Sequence, residues 1–63
     1  MYQATAYVNK SKVSKFQGSK LSSLVSWITQ ALKDHKGVSI EVRNEKTGEV
    51  YTVDKIADIK QIR

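Results

Sequence analysis

Sixty-three residues with no cysteine, a single histidine and a net charge of +5 leave no material for a disulfide framework or a histidine-rich metal site, and they allow one small domain, residues 1–63. So short a chain buries a modest share of its surface, which points to a binding partner or to self-association as a homodimer for added support. No apolar run reaches the roughly 20 residues of a membrane span and no basic-then-apolar leader opens the chain, so it reads as a cytoplasmic protein with no membrane partner.

The first element is a strand. From Met1 to Val8 the residues alternate, with Tyr2, Ala4, Ala6 and Val8 on one side and Gln3, Thr5 and Tyr7 on the other, the period of a half-buried strand. Its two alanines are small enough to let a helix ride close above them. Tyr7 then faces away from that helix.

Asn9 to Gly18 reads NKSKVSKFQG. Lysine and serine dominate, Val13 and Phe16 are the only apolar anchors, and no period is sustained, so the stretch is assigned as a surface loop. The alternative is a first strand that runs on as far as Val13. Phe16, just ahead of a helix start, folds back over the open end of the core.

Ser19 to Gly37 is the stretch whose sequence specifies both a conformation and a buried side. Leu21, Leu24, Val25, Ile28, Ala31 and Leu32 fall at the spacing of an amphipathic helix and share one stripe, opposite Ser22, Ser23, Ser26, Thr29, Gln30 and Lys33. Ser19 is the expected N-cap, and Gly37 supplies the left-handed residue that stops the helix.

The pattern changes at once after Gly37. Val38, Ile40 and Val42 alternate with Ser39, Glu41 and Arg43, and the polar run NEKTGE at 44–49 separates them from a second β-branched run. Gly48 sits where a hairpin needs positive φ. Pairing Asn44 with Glu49 sets Val42 against Tyr51 and Ile40 against Val53 on one face, leaving Glu41, Arg43, Val50 and Thr52 on the other. In the tail, Ile56, Ile59 and Ile62 recur every three residues. That spacing fits a short helix capped by Asp54 as well as a bent strand, and β-branching tips the assignment to a short last strand over Ile59 to Ile62.

The expected fold is therefore α+β: a two-layer β-α-β-β arrangement with a short fourth strand, in which one amphipathic helix covers one face of a small, mostly antiparallel sheet. Ala4, Ala6, Val8, Leu21, Leu24, Val25, Ile28, Leu32, Val38, Ile40, Val42, Tyr51 and Val53 form its core, with some of the tail isoleucines. The helix-free face, with Tyr7 and Val50, is left for solvent or a partner.

Nothing in the chain has the form of a catalytic site. There is no nucleophilic cysteine and no phosphate-cradling glycine loop, and Gly18, Gly37 and Gly48 stand where turns or caps use them. His35 falls at the end of the helix stripe, a structural position with only Asp34 near it in sequence. Asp54 and Asp58 lie among lysines and read as solvated charges. No catalytic residue, cofactor or metal is expected.

Charge carries the functional signal. Lys10, Lys12, Lys15, Lys20, Lys33 and Lys36 face only Asp34 within residues 1–37, whereas residues 38–63 hold five cations and five carboxylates. The whole excess belongs to the first half, and a one-sided positive field attracts phosphate or an acidic protein surface. The candidate site is Lys10, Lys12, Lys15 and Lys20 together with Trp27, which lies seven residues beyond Lys20 on the same helix flank. There an indole could stack a base while lysines hold phosphates. The competing account has Trp27 closing the core edge and the lysines keeping the protein soluble. No aromatic RNP-type strand, GxxG loop or zinc ligand set occurs.

The leading expectation is a small non-catalytic accessory protein that binds nucleic acid through a basic loop and helix flank, with little sequence preference because lysine acts as a point charge. Its rival is a protein-interaction module, a modulator or inhibitor of a larger assembly, working through the helix-free face or an edge strand.

Overall fold

The computed structural model describes residues 1–62; Arg63, counted in the charge tally, lies outside them. Four strands, β1 (Tyr2–Val8), β2 (Ser11–Gly18), β3 (Ser39–Asn44) and β4 (Val50–Val53), form an antiparallel sheet in the order β2-β1-β3-β4. Helix α1 (Leu21–Asp34) connects β2 to β3, and a 3₁₀ helix, Ile56–Gln61, follows β4. The α+β, two-layer architecture stands as expected.

The second strand corrects the expected loop at Asn9 to Gly18. Asn9 and Lys10 both take positive φ, 52° and 69°, the conformation of a two-residue type I′ hairpin turn. Val8 therefore pairs directly with Ser11, and β2 runs back along the whole of β1 to set Gly18 against Tyr2.

The register slips once, between Ala6 and Tyr7. Ala6 pairs with Ser14 and Tyr7 with Lys12, so Val13 is the extra residue of a β-bulge. Without it Lys12 would fall opposite Val8, on the side the helix covers. The bulge returns Lys12 to the other side.

The β3–β4 hairpin has the register expected from sequence, Ile40 with Val53 and Val42 with Tyr51. The Asn44 N–H donates to the Glu49 carbonyl at 2.9 Å, and the Gly48 N–H donates to the Asn44 carbonyl at 2.7 Å. Gly48 has φ +78°, which a side chain would resist. Buried Asn44 also accepts the Lys46 N–H on Oδ1, and Glu45 donates its N–H to the Met1 carbonyl. The loop is thereby tied to the chain start.

One face of the sheet carries the core. Ala4, Ala6, Ile40, Val42 and Val53 are buried beneath Leu24, Ile28 and Ala31 of the helix, with Val38 and Ile62 closing the cluster. Helix α1 packs over β1 and β2, and the 3₁₀ helix covers β4. Val25 and Leu32 are half-buried, whereas Leu21, expected inside, is exposed on the first turn.

Two further corrections concern element ends. Lys20, not Ser19, is the N-cap, and no side chain caps the helix; the Lys20 carbonyl simply accepts the Leu24 N–H. At the other end His35 donates its N–H to the Ala31 carbonyl, and Gly37, with φ +73°, turns the chain toward Val38. The tail is a 3₁₀ helix in place of the expected last strand over Ile59 to Ile62. Spacing of three is that helix's own period, and it lets half-buried Ile59 and buried Ile62 reach the core while Ile56 stays exposed. Asp58 accepts the Asp54 N–H on its carboxylate, so Asp58 braces the segment that the helical alternative would have had Asp54 cap.

Candidate nucleic-acid interface

The five residues singled out from sequence do not share one surface. Lys10 occupies the hairpin tip, and Lys20 stands beyond the far end of β2 at the start of α1. Eight strand residues separate them, roughly 23 Å of extended chain. Lys12 and Lys15 lie between, opposite Tyr7 and Thr5. Trp27 belongs to the other layer.

That tryptophan has a structural partner. Its ring centroid lies 5.8 Å from that of Phe16, with the planes tilted by 31°, a separation at which aromatic pairs attract. Phe16 is opposite Ala4 on the covered side of β2, and both aromatics pack on the core cluster. A Cβ on Gly18 would come within 2.8 Å of Phe16 Cζ, so the glycine leaves room for this ring. Trp27 thus seals the edge of the core, the competing account given above.

The open face of the sheet follows from the pairing register. Across β2, β1, β3 and β4 one row runs Gln17, Gln3, Arg43 and Val50; the next runs Lys15, Thr5, Glu41 and Thr52; a third runs Lys12, Tyr7 and Ser39. Three cations meet one carboxylate there. Tyr2, Phe16, Trp27 and Tyr51 all pack against the core, so Tyr7 is the aromatic residue that the sheet turns outward. It is half-buried, with Lys12 directly across and Lys15 on the diagonal.

A hollow of about 310 Å³ lies on the same face, lined by Gln3, Ala4, Thr5, Lys15, Phe16 and Gln17. Ala4 and Phe16 belong to the covered side, and the other four lining residues, all polar, belong to the open side. Gln17 donates an amide hydrogen to the Met1 sulfur at 3.1 Å.

Sequence reasoning missed Arg43, Gln3, Thr5 and Gln17 as members of this surface. The alternation of the first strand already set Gln3, Thr5 and Tyr7 on one side, and the β3–β4 register set Arg43 beside Val50. What hid the surface was β2, since only a paired second strand brings the lysines onto it.

Among the described residues, no three of His, Cys, Asp or Glu gather closely enough to hold a metal ion. No described helix is long and apolar enough to cross a membrane. Compared with known proteins, the chain matches no family model, no curated protein and no solved structure.

Proposed function

We propose that this protein binds single-stranded nucleic acid on the open face of its sheet, mainly through backbone phosphates, as a non-catalytic cytoplasmic accessory factor. The observation that carries the reading is the Val13 bulge, which turns Lys12 to the side of Lys15, Tyr7 and Arg43. Cations hold phosphates without regard to sequence, and an outward aromatic ring gives a base a surface to stack on. Lys10, at the tip next to this surface, extends it; Lys20 and Trp27 fall outside it.

The test is the salt dependence of oligonucleotide binding, read by fluorescence anisotropy. Three phosphate contacts from Lys12, Lys15 and Arg43 give a slope of about −2 in log affinity against log salt, so affinity drops roughly 20-fold between about 50 and 200 mM. Binding indifferent to salt, or no binding, sinks the proposal.

A second reading draws on Val50, which is 50% exposed beside Arg43 on the same face and gives an acidic protein surface an apolar contact. Capture from lysate separates the two. Partners lost on nuclease digestion support the first reading, and partners retained support a protein-interaction module.

A further inference from the structure

The hollow beside the lysines has a chemistry that phosphate binding does not use. Gln3 and Gln17 stand directly opposite each other on neighbouring strands, and the next pair along is Thr5 and Lys15. Both glutamines and Lys15 are exposed, Thr5 is half-buried, and together they rim the hollow of about 310 Å³. That size is at the lower end of small-molecule sites, about 300 to 1,000 Å³. A purely electrostatic surface has no need of two amides.

We propose that this hollow is a base-reading subsite for one unpaired nucleotide, with adenine favoured, in which the Gln3 and Gln17 amides bond the base edge and Lys15 takes the adjoining phosphate. The inference rests on the nucleic-acid reading given above and deepens it. A primary amide presents a donor and an acceptor side by side, the arrangement complementary to adenine N6 and N7. In a single strand the Watson–Crick edge of the base is also free to bond. The Met1 sulfur engages one amide hydrogen of Gln17. Its other hydrogen and its carbonyl oxygen are left for a ligand, on an amide plane already oriented. Tyr7 lies two residues beyond Thr5 on the same face, roughly 6.6 Å along the strand, where it stacks the neighbouring base.

The experiment compares binding of adenine, cytosine and thymine homopolymers of about 12 nucleotides and of inorganic polyphosphate, by anisotropy and competition, for the wild type and two variants. The wild type is expected to bind the adenine polymer about tenfold more tightly than the thymine polymer. In the double variant Gln3→Leu with Gln17→Leu this preference disappears while the salt slope is kept. In Lys15→Ala the preference is kept while the slope falls by about 0.7. If the double leucine variant does not melt cooperatively, Gln3→Met with Gln17→Met, which keeps side-chain length and net charge and removes both amides, supplies the same ratio between polymers. Equal affinity for all three homopolymers, a preference that survives loss of both amides, or polyphosphate binding as tight as any oligonucleotide overturns the subsite and leaves the electrostatic reading standing. Failure of every oligonucleotide to bind overturns that reading as well.

Discussion

Along β1, Ala4 and Ala6 are 2% and 0% exposed, while the alternating Gln3, Thr5 and Tyr7 turn to the opposite side. The same division runs across the sheet. Ile40, Val42 and Val53 lie under the helix or the tail, and Glu41, Arg43 and Thr52, on the same two strands, face out. One backbone ladder therefore supports two surfaces of different make-up. The covered side is apolar and supplies cohesion; the open side is polar and charged, and its side chains can be exchanged without emptying the core.

The harshest way to break that comparison is to cut into the covered side. Ile28 is fully buried at the centre of α1, so Ile28→Ala is expected to cost about 2 to 5 kcal/mol in a urea melt. That is most of what a domain this small commands. A loss below about 1 kcal/mol would show that the helix contributes little to cohesion. Gly18→Ala comes next, because its Cβ would push against the Phe16 ring. Overpacking of this kind costs about 1 to 3 kcal/mol, and displacement of Phe16 from Trp27 is expected to shift the tryptophan emission.

On the open side the effects should part company. Lys12→Ala with Lys15→Ala is expected to leave stability within about 0.5 kcal/mol and to reduce the salt slope of oligonucleotide binding by about 1.4. A large stability loss would mean that the two faces are not independent. At the hairpin tip a modest gain is expected in place of a loss. Lys10 holds φ +69°, a conformation that favours glycine, so Lys10→Gly should raise stability by about 0.5 to 1 kcal/mol, measured as a higher melting temperature.

The covered side was largely legible in the sequence and the open side was not. Leu24, Ile28 and Ala31 recur at helical spacing, and Gly48 between two β-branched runs marks a hairpin whose register follows by counting. In β2 the only apolar side chains, Val13 and Phe16, are three apart, so no alternation shows; the bulge breaks the period of two at Val13, and the turn before it uses Asn9 and Lys10 with no glycine to announce positive φ. With that strand read as a loop, its lysines had no face. Phe16 was placed over the open end of the core but not on a strand, so Trp27 lacked the ring it packs against and was counted in the candidate site. In the tail the threefold spacing of isoleucine held the answer, but β-branching was given more weight than period.

The bulge that orients Lys12 also acts at the rim of the sheet. β2 is a border strand eight residues long, and an uninterrupted border of that length would offer its unpaired amides and carbonyls to the next copy, the first step toward a fibril. Val13 bends that border, and ammonium groups at 12 and 15 repel a like neighbour drawing alongside. The opposite border, β4, is only four residues long. Both borders of the sheet are thus poor templates for edge-to-edge joining into ribbons.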